Sequence, residues 1–281
     1  VMATYRARVR ARNHVAAFIK SFYRRSDMSM LELTPDFIKE FAAYLSTEAG
    51  LRNGSIWANC MWLKGVVMKA HYNGLIPRNP FIQFHISPNV KEREYLTEDE
   101  LKAVMTHEFA DSKLAYIRDI FIFASFTALS FVDIQELTND NIVEVNGEKW
   151  ILSKRHKTKV AFQVKLLDIP LQIVERYRPM QKDNRIFPGL NYWSICKPLK
   201  RMIRECGITK SISFHCSRHG FATLALSKGM PIESVSRVLG HTNIVTTQLY
   251  AKITTQKLGN DLTAFGNQLN QTFGNIKVAG I

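Results

Sequence analysis

Acidic residues are scarce in this chain, cysteines are scarcer, and no long hydrophobic run is present. Twenty-four Asp and Glu stand against 38 Lys and Arg in 281 residues, a formal net charge of +14. Residues 1–96 hold 14 basic against 7 acidic side chains and the rest hold 24 against 17, so the excess is spread along the whole chain. Such a balance points to a polyanionic partner, with charge carried for solubility as the alternative. Cys60, Cys196, Cys206 and Cys216 show neither C-x-x-C nor zinc-finger spacing. They read as reduced thiols, and no metal site is expected. The longest apolar stretch, Ile120 to Leu129, is too short to span a bilayer and contains Ser125 and Thr127. No basic-then-apolar signal pattern stands at the start. The expectation is a cytoplasmic protein with no membrane partner, without internal repeats or low-complexity tracts.

What is present is mainly helical pattern with sharp punctuation. Tyr5 to Arg25 carries Val9, Val15, Phe18 and Phe22 at helical spacing, and opens with Arg6, Arg8, Arg10 and Arg12. A second helix is predicted from Thr34-Pro35-Asp36, where Thr34 caps, Pro35 suits the first turn and Asp36 complements the dipole. A third runs from about Ser55 to Tyr72 before the Gly-Leu-Ile-Pro-Arg-Asn-Pro stretch breaks the pattern. Residues 1–90 are therefore expected to form a small bundle of four helices. Residues 84–96 read as a linker, and Thr97 with Glu100 forms a T-x-x-E capping box that opens a second domain, 91–281. Within it, Ile142–Val145, Asn146-Gly147 and Lys149–Leu152 predict a hairpin with a type I′ turn. A third strand is predicted from Ala161 to Ile169, ended by Pro170. The remainder reads as helix, punctuated at Gly207, Gly229 and Gly240. The fold class is mainly α, in two domains, with one small three-stranded antiparallel sheet.

Three short features carry chemistry. His215 and Arg218, three apart on a helix, share a face and can both donate to one phosphate, the arginine bidentately. Leu239-Gly240-His241 places a histidine just past a helix end, with Gly240 as its terminator. Thr246-Thr-Gln-Leu-Tyr250 sets a tyrosine nine residues after His241. Taken singly, each also fits an ordinary core or surface role.

In this order, H-x-x-R, L-G-H and T-T-x-x-Y resemble the C-terminal signature of tyrosine recombinases, the phage integrase family. Upstream, Phe126-Thr-Ala-Leu-Ser-Phe-Val-Asp is similar to the segment in which a first catalytic arginine follows a T-G-L turn. Arg155-His-Lys-Thr is similar to the hairpin bearing the family's catalytic lysine. Ser130 stands where that first arginine is usual, as in integrases of Bacteroidetes-type mobile elements; many of those carry an N-terminal arm-binding domain for which no segment stands here.

The resemblance implies a site-specific recombinase for integration, excision or inversion, acting without metal or other cofactor. Its helical core-binding domain and catalytic domain would clamp duplex DNA. Tyr250 would be the nucleophile, His215, Arg218 and His241 would stabilise the charged transition state, and Lys157 would be the general acid, with Lys154 and Lys159 as rivals. Arg155 and Lys159 are expected as DNA contacts; Arg6, Arg10 and Arg12 are either further contacts or a solvated helix face. Arg118 interrupts the apolar run Ile117 to Phe123, so it either replaces the arginine missing at Ser130 or forms a salt bridge with Asp119 or another acid. Self-association into a synaptic tetramer on DNA, a host DNA-bending protein as partner, and binding to the nucleoid complete the expectation. Two other readings remain open here: a type IB-like topoisomerase, and a DNA-binding protein with a decayed site.

Overall fold

Helix α1 (Met2–Phe22) begins the chain with its basic residues exposed and buries Phe18 and Ile19. Helix α2 (Pro35–Thr47) starts at the predicted place, with Pro35 in its first turn, although the Thr34 side chain makes no capping bond. It buries Phe37, Ile38, Phe41 and Leu45 at helical spacing. Helix α3 (Asn53–Tyr72) completes the core with Ile56, Cys60, Leu63 and Val67. The Phe18 ring lies 5.2 Å from that of Phe37 and 5.5 Å from that of Phe41. Among the described residues this unit has three α-helices rather than four. Between α1 and α2 stands only a 3-10 turn, Met30–Glu32, closed by a Ser29/Glu32 capping box. After α3, Gly74 turns the chain at φ 73° and Pro77 and Pro80 remove the donors a fourth helix would need.

This computed structural model describes residues 2–88, 94–156, 159–181, 183–250 and 255–273. It divides into two compact units, Val1–Glu92 and Arg93–Ile281. Part of the linker expected at 84–96 lies outside the described residues.

In the second unit, α4 (Glu98–Thr106) opens with the predicted box: Glu100 N–H donates to Thr97 Oγ1 at 3.2 Å, and Thr97 N–H to Glu100 Oε2 at 2.7 Å. Helix α5 (Ser112–Thr127) is its central rod, buried on most sides through Leu114, Ile117, Ile120, Phe121, Phe123 and Ala124. It ends at Ala128 in the left-handed region, φ 56°. The short α6 (Phe131–Gln135) follows. Strands β1 (Ile142–Val145), β2 (Glu148–Lys154) and β3 (Ala161–Lys165) form one antiparallel sheet in chain order. Asn146 and Gly147 take φ 52° and 77°, as a type I′ turn requires. Strand β3 stops at Lys165, short of the predicted Ile169. Helix α7 (Asp168–Tyr177) takes over, and Pro170 lies in its first turn, where a missing N–H leaves no bond unmade.

Helices α8 (Tyr192–Glu205), α9 (His215–Ser227), α10 (Ile232–Leu239) and the single turn α11 (Val245–Gln248) complete the unit's packed part. Helix α12 (Thr255–Phe273) exposes Leu258, Leu262, Phe265 and Leu269. Among the described residues, no helix is long and apolar enough to cross a membrane.

Candidate active site

Helix α9 packs against both α5 and α10, and Arg218 lies on its buried face. Its side chain is anchored at two chain reversals. Nη1 donates to the Ala128 carbonyl at 2.9 Å, and Nη2 donates to the Leu239 carbonyl. Ala128 is the left-handed residue ending α5, and Leu239 is the last residue of α10. A helix's final carbonyls lack partners within the helix and sit at the negative end of its dipole, so a guanidinium suits them. Burial, and then the neighbouring Arg155, pull the Arg218 pKa down to about 10, against the pull of Tyr250 and Asp133.

Gly240 and His241 end α10 as predicted. Gly240 takes φ 62°; its N–H donates to the Arg237 carbonyl at 2.9 Å and that of His241 to the Ser236 carbonyl at 3.0 Å, the two bonds of a Schellman ending. This fixes the His241 backbone, and Thr247 fixes its ring: Nδ1 lies 2.9 Å from the Thr247 hydroxyl, which is fully buried. Burial first, then Arg218, Arg155 and His215, lower the His241 pKa to about 4. The imidazole is therefore neutral near pH 7. In the tautomer in which Nδ1 accepts from the Thr247 hydroxyl, the proton is carried on Nε2, where it can be given to an anionic oxygen.

Tyr250 follows α11, its N–H donating to the Thr247 carbonyl at 3.0 Å. Its ring packs edge-on against His219, with centroids 4.8 Å apart, and lies nearly parallel to His241 at 6.5 Å. His215, exposed in the first turn of α9, is 5.3 Å from His219. The structure thus gathers His215, Arg218, His241 and Tyr250 at one place. Sequence reasoning missed His219, Thr247 and Asp133 there. His219 had a signal, since it is one turn after His215 and directly follows Arg218; Thr247 and Asp133 stand in quoted motifs but had been given no role.

Arg155, expected as a DNA contact, also belongs to this place and is buried in it. Its side chain is 7% exposed and paired with Asp133 at 2.7 Å. Asp133 also accepts from the Ser130 hydroxyl at 2.7 Å and the His156 N–H at 3.1 Å. Ser130 is thus the N-cap of α6 and is engaged within its own turn.

Arg118 is committed elsewhere, and its expected part as substitute for the arginine missing at 130 is corrected. Its Nε donates to Asp119 at 2.8 Å and its Nη1 to the His107 carbonyl at 2.8 Å. Buried Asp119 accepts also from Arg176 at 2.8 Å and the Tyr177 hydroxyl at 2.7 Å. The salt-bridge alternative therefore holds: a cation interrupting a buried helix takes the acid beside it. Lys157 lies outside the described residues. Lys159 is exposed in the loop between β2 and β3, and Arg6, Arg10 and Arg12 are exposed on α1 in the other unit. Among the described residues no group of His, Cys, Asp and Glu could hold a metal ion.

Comparison with known proteins adds independent findings. Residues 94–257 match the phage integrase family and residues 1–86 match its SAM-like domain. Tyrosine recombinase XerA of Pyrococcus horikoshii is 32% identical over 177 residues, 58% of this chain and 58% of that protein. Tyrosine recombinase XerC of Lactobacillus leichmannii is 25% identical over 229 residues, 76% of this chain and 77% of that one. Among solved structures, the Tn1549 transposon integrase in complex with circular intermediate DNA superposes with a TM-score of 0.71 at 18% identity, covering 85% of this chain and 88% of that one. A lambda integrase dimer bound to a core site gives 0.65 at 18% identity, covering 84% and 86%. At such identities the structural likeness speaks for the fold.

Proposed function

The chain belongs to the phage integrase family, and from that premise we propose that it is a tyrosine-type site-specific DNA recombinase with Tyr250 as nucleophile. The observation that carries the reading is the meeting of Tyr250 with Arg218, His241, His215 and His219, delivered by α9, the end of α10 and the end of α11.

A phosphodiester resists attack because its non-bridging oxygens are already charged. Arg218 and the Nε2–H of His241 offer fixed donors to the charge that builds as phosphorus is attacked, with His215 adding a third. The Tyr250 oxygen forms a bond to phosphorus as the bond to the 5′ oxygen breaks. The tyrosine gives up its proton to solvent, and the leaving 5′ oxygen gains one from Lys157, which is reprotonated from solvent, so the step is balanced. The phosphotyrosyl link conserves the bond, and a second 5′ hydroxyl rejoins the strand by the reverse step.

Duplex DNA is the partner, in keeping with the +14 charge. Residues 1–90 serve as core-binding domain and 91–281 as catalytic domain. The exposed apolar stripe of α12 favours self-association into a tetramer at synapsis. A host DNA-bending protein assists, and the enzyme is cytoplasmic, held on the nucleoid when bound.

The test uses nicked suicide duplexes of randomised core sequence, from which covalent adducts are captured. Wild type should yield adducts at a selected site and Tyr250→Phe none, with binding retained. Adducts from the Phe variant would overturn the assignment. Plasmid relaxation without any site preference would favour the topoisomerase reading, and binding without adduct the decayed one.

A further inference from the structure

Arg155 is the one described residue with a buried side-chain polar atom that has no hydrogen-bond partner: its Nε. The residue stands just after β2, and its backbone closes the loop to β3, with its N–H donating to the Val160 carbonyl at 2.8 Å. Its guanidinium lies 4.0 Å above the centre of the Phe162 ring. Nη1 donates to Asp133, and Nη2 donates to the Val238 carbonyl at 2.6 Å. Arg218 holds the next carbonyl, that of Leu239. Two buried arginines therefore grip consecutive carbonyls in the last turn of α10, immediately before Gly240 and His241.

This arrangement is unbalanced. Two guanidiniums are withdrawn from water, and Asp133 is the carboxylate beside them; burial first, and then the same pair of cations, hold His241 neutral. Burying a charge without a full counter-charge is costly, and an anion placed between the arginines relieves that cost. Residue 240 leaves room for Arg155 to reach this position: a Cβ there would come within 2.9 Å of Arg155 Nε and 3.1 Å of its Cγ. Gly240 thus serves the left-handed helix ending and the close passage of Arg155 together.

We propose that Arg155 is the second phosphate-binding arginine of the active site, acting with Arg218 on the non-bridging oxygens of the scissile phosphate, and that Asp133 is its positioning residue. The inference rests on the recombinase reading above. It supplies the cation that Ser130 lacks from a different strand of the fold, since Ser130 is spent on capping α6 and on Asp133.

The test compares suicide duplexes carrying a normal phosphodiester with duplexes carrying a neutral methylphosphonate at the selected cleavage position. On the phosphodiester, Arg155→Ala should slow adduct formation about 10²–10³-fold, as loss of one oxyanion donor does. On the methylphosphonate, where one charge is already gone, the gap between wild type and Arg155→Ala should largely close. Arg118→Ala, compared per folded molecule, should cleave the phosphodiester as wild type does.

Adduct formation by Arg155→Ala at the wild-type rate would overturn the proposal. An equal defect on both substrates would overturn it as well and would make the Asp133 pair purely structural. If Arg155→Ala does not fold, Arg155→Lys carries the same comparison: a partial defect relieved on the methylphosphonate supports the proposal, and an unrelieved one overturns it. Wild type giving no adduct would instead sink the recombinase reading, so the two failures are distinct.

Discussion

In the second unit, arginines gather around two buried carboxylates, Asp119 and Asp133, and the two networks are opposite in electrostatic character. Around Asp119, water still reaches both arginines: the Arg118 side chain is 14% exposed and that of Arg176 is 59%. The acid accepts from both and from Tyr177, and its hydrogen bond and charge raise the Arg176 pKa. Around Asp133, both nearby arginines are buried, one of them has an orphaned Nε, and both have lowered pKa values, desolvation being the main cause. The first network is complete as it stands and holds α5 to α7. The second is complete only with an anion in place. Equal residue types thus make a brace in one place and a binding site in the other, and the difference lies in how many charges water can still reach.

Substitutions should separate the two. The largest effect is expected from Arg218→Ala, which should cut adduct formation by about 10²–10³-fold, or roughly 3–4 kcal/mol, with little loss in urea midpoint because an under-compensated buried charge departs with it. A large drop in stability would make Arg218 a brace too. Asp119→Asn should behave in the reverse way. Leaving Arg118, which is mostly covered, without its acid should cost about 3 kcal/mol in urea unfolding, while cleavage per folded molecule holds. Gly240→Ala should come next, at about 1–3 kcal/mol from the strained φ and the clash with Arg155, and should also slow cleavage; a variant as stable and active as wild type would show that the passage beside Gly240 is not tight.

The smallest effect concerns pH. His241 has a folded pKa of about 4, below its ordinary 6.5. An unfolded chain takes up the proton as pH falls below 6.5 and the folded one resists until about 4. The stability contributed by keeping this ring neutral is therefore full above pH 6.5 and is lost as pH falls through that window. His241→Asn should flatten the decline in urea midpoint between pH 7 and pH 5, and an unchanged slope would assign it to other groups.

Much of the fold could be read because its signals are local. The Thr97/Glu100 box, the Asn146-Gly147 turn and the Gly240 helix ending each depend on a few neighbouring residues, and each stands where expected. The errors arose where a local pattern had two outcomes. Pro170 after a strand pattern can end a strand or enter a helix's first turn, and α7 took it. Ser130-x-x-Asp133 is a capping pattern as well as the place of a missing arginine, and the fold uses it as a cap.

By itself, the sequence determined that the chain is helical with one small hairpin sheet, that its charge suits a polyanion, and that His215, Arg218, His241 and Tyr250 occur in an order that signifies one chemistry. Which arginine joins them was decided by tertiary structure alone. Arg118 has an acid beside it in the sequence, which allows a salt bridge, but nothing local marks Arg155 as the one that joins the site. Arg118 meets its acid one residue away, whereas Arg155 meets Asp133 across 22 residues and the Val238 carbonyl across 83. Burial and counter-charge are properties of segments brought together in space, and those two quantities settle whether a guanidinium is spent on the fold or kept for a phosphate.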